Sequence, residues 1–263
     1  GAEGIAAERD ATAVADLASA TTLGVRARLQ DVAARGSAEE ASIFGDAANY
    51  LDADVDGVRF SLNRDLAASL KHRQPDHLRL AVPTNEGVLH LDLYRVQLTT
   101  DQAGVATDAA GHATHIDGAH YRGVVEDHDE SLAAISIYDD GVAGFISTGA
   151  RLYNLAKQRG SSDHLSYSVD TLAAPAALGC DNDQLGEAIT PGATRSSLDF
   201  VGNKFVGVYI EADFRMYQDH GSSVSDTTNY ITAMFNQVAT LYANENIDLR
   251  IASMLLWTTQ DPY

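Results

Sequence analysis

The chain has 263 residues, with 18 Lys and Arg against 37 Asp and Glu, and a formal net charge of -19. This length is enough for one large or two modest hydrophobic cores. A surface with such an acidic excess repels nucleic-acid phosphates, so we expect no nucleic-acid partner. We also expect no membrane span, because no continuous apolar run is long enough to cross a bilayer.

Residues 1–55 form an Ala-rich leader that we predict to be partly helical. The stretch LGVRARLQDVAARG, residues 23–36, places Val25, Leu29 and Val32 at helical spacing, and Gly36 is a plausible end of that helix. A loosely attached leader would have the same composition, so both possibilities stay open.

Residues 56–172 predict a β-rich domain. The runs LRLAVP, GVLHLDLYRVQL and GVATDAAG are separated by the turn signals TNEG and TTDQAG, which is typical of an antiparallel meander. Leu89, Leu91 and Leu93 alternate along the second run. Further along, SLAAISIYDDGVAGFIST reads as two strands joined by a YDDG turn.

Residues 173–203 lose this periodicity and have the composition of a linker. They contain Cys180, the only cysteine of the chain. A single cysteine cannot form an internal disulfide, so its thiol is either free or pairs with another molecule. A small buried hydrophobic residue is the alternative interpretation of Cys180.

Residues 204–263 predict a β-α-β unit, with KFVGVYIEADF and IDLRIASMLLW as strands on either side of a helix. Residues 231, 234, 235, 238, 241 and 242 lie at the spacing of one apolar helix face, and Ser225 or Asp226 is the expected N-cap. The predicted fold class is therefore α+β, with a β-rich antiparallel domain followed by this unit.

This last segment resembles the opening of the catalytic domain of adamalysin/reprolysin zinc metallopeptidases, the metzincin group that includes the ADAM proteases. The matching positions are Ala212, Asp213, Arg215, Met216, Tyr217, Asn236, Tyr242, Asn246, Ile247, Trp257 and Asp261. Upstream, residues 120–167 look like the propeptide of the same family. Its usual pattern is a His-Tyr-x-Gly strand, a Ser-x-x-x-x-Ser hairpin and a strand with a Gly-aromatic pair.

The resemblance implies a role for the single thiol. In such zymogens a propeptide cysteine ligates the catalytic zinc as a "cysteine switch", and Cys180 stands shortly before the catalytic segment. A thiolate is a strong fourth ligand for Zn²⁺ and excludes the water that the metal would activate. The activating cut is expected between Asp181 and Lys204, with Arg195 as the candidate cleavage position.

The chain also departs from the family pattern. The zinc motif H-E-x-x-H-x-x-G-x-x-H does not occur, so the catalytic residues are expected beyond Tyr263 and this fragment alone should be inactive. Gly207 stands where many members have a Glu that serves a calcium site, so we expect no calcium there. Members of the family often have Cys followed by Gly at the switch, whereas here Gly179 precedes Cys180.

The resemblance thus implies the N-terminal portion of a secreted zinc endopeptidase zymogen. Its propeptide would bind its own catalytic domain, and the parent protein would hydrolyse peptide bonds of protein or peptide substrates. The competing hypothesis is a stand-alone inhibitory or protein-binding module with a metzincin-like remnant and no catalysis.

Several single residues allow two interpretations. His112, His115 and His120 could suggest a metal site, but turns explain the first two and His120 reads as a strand residue before an exposed Tyr121. Asp213 is expected either to cap a strand end or to pair with Arg215. Trp257 and Tyr242 are expected to be packing aromatics.

Overall fold

The structure, a computed structural model, describes residues 24–52, 55–109, 115–169 and 205–262. It confirms the α+β class, with two sheets and a few helices. The helices are α1, whose described part spans residues 24–33, α2 (Arg64–Arg73), α3 (Phe214–Asp219) and α4 (Val224–Asn244).

The larger sheet has ten strands in the order β1-β4-β5-β7-β8-β9-β10-β11-β3-β2. These strands are β1 (Glu39–Ala41), β2 (Phe44–Asp52), β3 (Val55–Leu62), β4 (His77–Thr84), β5 (Gly87–Val96), β7 (Ala119–Val125), β8 (Leu132–Ile137), β9 (Val142–Ser147), β10 (Leu152–Lys157) and β11 (His164–Ser168). The sheet is antiparallel except for the pair β1 and β4, which run parallel. We call it the curled sheet, because β3 and β11 come back beside β4.

The curled sheet encloses one apolar core. Strands from both ends of the strand order contribute to it, including Phe60, Leu80, Ile135 and Tyr153. Leu91 and Leu93 point into the same core, as their alternation predicts. Helix α2, which the sequence analysis missed, adds its buried residues to this core. Its N-cap is Asn63, whose side chain accepts a hydrogen bond from Leu66 N at 3.2 Å.

Two strand glycines allow the strands of the curled sheet to approach closely. A Cβ on Gly123 of β7 would lie 1.9 Å from Asp92 O, and one on Gly144 of β9 would lie 2.0 Å from Ala134 O. No L side chain fits in such a space, so these strand positions require glycine.

Helix α1 packs on the outer face of the curled sheet. Val25 and Leu29 are buried against a cluster that includes Tyr94, Val124 and Phe145. The loosely attached alternative is therefore wrong for residues 24–33, because their apolar face is covered.

The smaller sheet joins the C-terminal segment, residues 205–262, to a strand from earlier in the chain. Its order is β12-β13-β6, with β12 (Val206–Ala212), β13 (Leu249–Leu256) and β6 (Val105–Thr107). Strands β12 and β13 are parallel, with α3 and α4 between them, so the β-α-β prediction holds. The run GVATDAAG was predicted in the antiparallel meander. That prediction is wrong, because β6 pairs in parallel with β13.

Helix α4 differs in detail from its prediction. Its N-cap is Ser223, which accepts a hydrogen bond from Asp226 N at 3.2 Å, and not Ser225 or Asp226. The predicted apolar face is divided: residues 231 and 235 are buried, whereas residues 234, 238, 241 and 242 are exposed. The rest of the buried surface is polar, which the hydrophobic periodicity could not indicate.

None of the helices in the described ranges combines the length and apolar character that crossing a membrane requires.

Candidate functional site

Helix α4 lies between the two sheets, and its two buried faces differ in chemistry. Ile231, Phe235 and Ala239 pack in one apolar cluster with Ile251 and other residues of β13. Thr228, Thr232, Asn236 and Thr240 recur every fourth residue and are also buried. Two side chains of this second row, Thr232 and Asn236, hydrogen-bond to residues in or next to the curled sheet. We call this contact the α4 interface. On the side of the curled sheet its residues are His120, Arg122, Ser136 and, just after β8, Tyr138.

Asn236 is the centre of the α4 interface. Its Nδ2 lies 3.3 Å from each of three acceptors: Tyr121 O, Ile135 O and Ser136 Oγ. Its Oδ1 accepts a hydrogen bond from Arg122 Nε at 3.2 Å. The side-chain amide thus bridges β7 and β8 from outside the sheet, and it is fully buried. A buried amide with its donors and acceptor engaged stabilises one specific docking geometry.

Tyr138 makes the second polar contact, just after the end of β8. Its hydroxyl lies 2.7 Å from Thr232 Oγ1 and donates to Asn229 O at 2.7 Å. Burial raises the pKa of Tyr138, so the phenol stays protonated and can donate. This contact ties the first half of α4 to the β8–β9 hairpin.

His120 lies beneath Asn236 and shares its partner. His120 Nδ1 is 2.9 Å from Ser136 Oγ, and Ser136 Oγ in turn contacts Asn236. Burial, and then the charge of Arg122, lower the pKa of His120 to about 3. The imidazole is therefore neutral at physiological pH.

Arg122 is the one strongly basic group in the α4 interface, and its side chain is buried. Burial lowers the pKa of Arg122 to about 10, and the guanidinium still carries its charge at neutral pH. Within the described residues its Nη2 has no hydrogen-bond partner. Removing Asn236 Oδ1 would leave the buried charge of Arg122 without this acceptor, and an uncompensated buried charge is strongly destabilising.

These contacts bring together residues from both resembling segments. His120 and Gly123 are the ends of the stretch HYRG, and Ser131 and Ser136 bracket SLAAIS in the next hairpin. Ser131 closes the turn before β8, since its Oγ accepts from Val125 N at 2.9 Å. Asn236 belongs to the other segment. The sequence did not predict the contact between these two segments. The four-residue spacing of polar residues in α4 could have indicated a buried polar face.

The two residues named for latency lie elsewhere. Cys180 and Arg195 fall outside the described residues, so their roles stay predictions. Gly207 lies in β12, where an added Cβ would be 3.3 Å from Ala252 Cβ, and the calcium prediction also stays untested. In the described ranges no group of three His, Cys, Asp or Glu side chains could hold a metal ion.

The remaining predicted positions have structural roles. Asp213 caps α3 by accepting from Met216 N at 2.7 Å, while Arg215 pairs with Asp219. Trp257 donates through its ring N–H to Glu211 at 2.7 Å. The prediction that Tyr242 is a packing aromatic is wrong, because its side chain is exposed.

The histidine predictions divide similarly. His112 lies outside the described residues, and His115 is exposed in the described part of its loop. His120 is a strand residue as predicted, but Tyr121 beside it is fully buried and not exposed. Tyr121 belongs to the core of the curled sheet.

A comparison with known families bears on the C-terminal segment. Residues 204–263 match the Reprolysin (M12B) family zinc metalloproteases. The matched range contains β12, α3, α4 and β13, so it includes Asn236 and the apolar contact between α4 and β13. The α4 interface is therefore a contact between a reprolysin-like segment and the curled sheet that precedes it.

Proposed function

We propose that this chain is the N-terminal portion of a secreted zinc-dependent endopeptidase zymogen. Residues 56–172 are its inhibitory propeptide domain, residues 173–203 its linker with the switch cysteine, and residues 204–263 the start of its catalytic domain. The parent protein hydrolyses peptide bonds. The observation that carries this proposal is the reprolysin match over residues 204–263.

The exposed apolar surface of the C-terminal segment supports a larger catalytic domain. Tyr230, Met234, Val238 and Leu241 form an exposed stripe along α4, and we call them the α4 stripe. Their spacing of three to four residues places them on one side of the helix. An exposed apolar row of this length is typical of a surface that packs against another element. In a complete catalytic domain, further helices and strands would cover it.

Exposed apolar residues of β12 support the same view. Among the described residues β12 pairs with β13. Val206 and Tyr209 of β12 are exposed, and so is Phe205 just before the strand. Exposed apolar side chains grouped in this way are typical of a surface that packs against further structure.

The α4 interface supports the propeptide role. The curled sheet binds α4 through a buried network in which Asn236 and Tyr138 both take part. A propeptide that assists folding must recognise one element of its catalytic domain specifically, and buried polar contacts provide such specificity.

The described residues do not themselves form a zinc site, since they contain no suitable ligand group. The proposal therefore assigns the zinc ligands and the general base to sequence after Tyr263. From this chain it assigns only the inhibitory thiolate of Cys180, a ligand type that Zn²⁺ binds strongly.

The proposal is tested on the protein encoded by the complete reading frame. We expect the intact protein to contain zinc and to be latent, and Cys180→Ala to hydrolyse a peptide substrate before the linker is cut. Ser196→Ala, in the same linker, is the matched control and should stay latent. Unchanged latency of Cys180→Ala would exclude the switch, and absence of bound zinc would exclude the enzyme class.

The cleavage position is tested separately. We expect activation to generate a new N-terminus between Asp181 and Lys204, with Arg195 before the cut bond. N-terminal sequencing of the activated protein gives the answer. Arg195→Gln should slow activation, and a new terminus outside this range would reject the assignment.

The stand-alone binding module remains the second candidate, and the α4 stripe is the observation that favours it. An exposed apolar row can bind a partner protein as well as the rest of a domain. A complete reading frame without zinc ligands, combined with partner binding that is lost in Leu241→Gln, would support this alternative.

A further inference from the structure

Residues 97–108 cover one edge of β13, and we call them the β13 clamp. Near the start of β13, Ile251 N donates to Leu98 O at 2.9 Å and Thr100 N donates to Ile251 O at 2.9 Å. Further along, Met254 N donates to Gly104 O at 3.0 Å, and Asp108 N donates to Leu256 O at 3.3 Å. The clamp therefore binds β13 in parallel, in two short stretches.

Apolar side chains strengthen this pairing. Leu98 and Val105 of the clamp are buried in the cluster that also contains Ile251, Met254 and Leu256. Leu98 is 2% exposed and Val105 is 1% exposed. Removing the clamp would expose these residues and the edge of β13 to water, which opposes its release.

Asp108 fixes the end of the clamp. Its Oδ1 accepts from Thr258 N and Thr258 Oγ1, each at 2.7 Å. Its Oδ2 accepts from Thr259 N at 3.3 Å and also from the Thr259 hydroxyl. The hydrogen bonds from Thr259 and Thr258 hold the pKa of Asp108 well below its usual range. One carboxylate thus binds two consecutive residues, Thr258 and Thr259, shortly after the end of β13.

We propose that the edge of β13 is a strand-addition site whose partner is the β13 clamp, and that this contact keeps the curled sheet bound to residues 205–262 after the linker is cut. The inference rests on the proposed function for the existence of that cut. The clamp lies before the linker in sequence and β13 lies after it, so cleavage leaves the contact intact. Strand addition of this kind derives affinity from main-chain hydrogen bonds and selectivity from side chains.

The proposal is tested on the 263-residue chain with a protease site placed in residues 182–203. After cutting, the two halves should co-elute in size-exclusion chromatography. When the C-terminal half is immobilised, the half that contains the curled sheet should dissociate slowly. Asp108→Asn removes the charge that Thr258 and Thr259 bind, so we expect dissociation about tenfold faster. No peptidase activity enters this measurement, so it can fail or succeed independently of the zymogen assignment.

Asp101→Asn is the matched control. Asp101 lies in the same clamp, and its side chain accepts from Gln97 Nε2 at 3.2 Å. Asn keeps an oxygen that can accept this hydrogen bond, so the contact between Gln97 and Arg250 of β13 is preserved. The dissociation rate of this variant should match that of the unchanged chain. Equal rates for Asp108→Asn and Asp101→Asn, in variants whose circular dichroism is unchanged, would overturn the proposal, as would immediate separation of the halves.

A peptide experiment avoids any question of variant folding. A synthetic peptide with the sequence of residues 97–108 should compete for β13 and accelerate release of the curled-sheet half from the cut protein. The same peptide with Asn at the last position should be weaker. No acceleration by either peptide at concentrations up to solubility would count against strand addition in trans.

Discussion

Asn236 shows how a single buried side chain joins two parts of the chain. Its amide contacts β7 and β8 and provides the oxygen that binds Arg122. At the sequence level an Asn in a helix has no obvious purpose, since Asn competes with the helix backbone for hydrogen bonds. The hydrogen bonds that Asn236 makes with the curled sheet offset this unfavourable helix propensity.

Replacing Asn236 should destabilise the fold. Asn236→Ala removes the acceptor of a buried guanidinium and leaves two backbone carbonyls without this donor. We expect a loss of about 2–4 kcal/mol in the free energy of unfolding. Denaturant titration measures it, with Gln237→Ala on the same helix as control. A loss below that of the control variant would contradict the role of Asn236.

The second prediction concerns pH and two buried histidines. His164 Nε2 accepts from Val142 N at 3.0 Å, so that nitrogen carries no proton. Burial lowers the pKa of His164 to about 4 and that of His120 to about 3. In the unfolded chain both bind protons near pH 6.5. Since the unfolded state then holds more protons, stability is complete above pH 6.5 and is lost as the pH falls toward these values.

Between pH 6.5 and 5, each histidine should cost on the order of 1–2 kcal/mol. Unfolding free energies at several pH values give the slope, and His120→Gln should reduce it. Carboxylates titrate lower, so this window isolates the histidines. A stability that does not change between pH 7 and 5 would refute the neutral, buried state of both rings.

Among single elements, the close pairing of strand β9 with β8 requires a glycine at position 144. A methyl group on Gly144 would overlap Ala134 O, whereas one on Gly141, in the preceding turn, would meet only side chains at ordinary contact distance. We expect Gly144→Ala to destabilise the protein by roughly 1–3 kcal/mol or more. Gly141→Ala is its control and should be close to neutral. Thermal melting of both variants compares them, and equal melting temperatures would contradict this packing.

Helix α4 gives the second element-scale prediction. Phe235 is buried against β13 and Leu241 of the α4 stripe is exposed, although the hydrophobic pattern places both on one face. Phe235→Ala should cost ~3 kcal/mol because it leaves a cavity. Leu241→Gln should change the stability of this chain by less than about 0.5 kcal/mol. Similar losses in both variants would show that the stripe is covered.

At the scale of the whole molecule, local patterns predicted much of the fold but not its long-range contacts. The alternation of Leu91 and Leu93 identified their buried face, and the apolar strands around α4 predicted the parallel pair β12 and β13. The sequence could not place β6, because a strand of three residues has too little periodicity to specify its partner. The α4 interface was missed for a related reason: Thr232 and Asn236 have the polarity of a solvated face, and only tertiary burial distinguishes them.

Two contacts join the described residues that precede the linker to the described residues that follow it. The curled sheet binds α4 through polar contacts, and the β13 clamp adds a strand to the smaller sheet. Both contacts join sequence before the linker to sequence after it. If the curled sheet is the propeptide of the proposed zymogen, we expect these two contacts to slow its release after the linker is cut.

We propose that residues 204–263 begin a zinc metalloprotease domain, and the decisive experiment is to sequence the reading frame past the codon for Tyr263. We expect an H-E-x-x-H-x-x-G-x-x-H motif within about a hundred residues of that codon. Such a motif would supply the zinc that Cys180 is proposed to bind. A stop codon or an unrelated sequence would exclude the metalloprotease domain and favour the binding module.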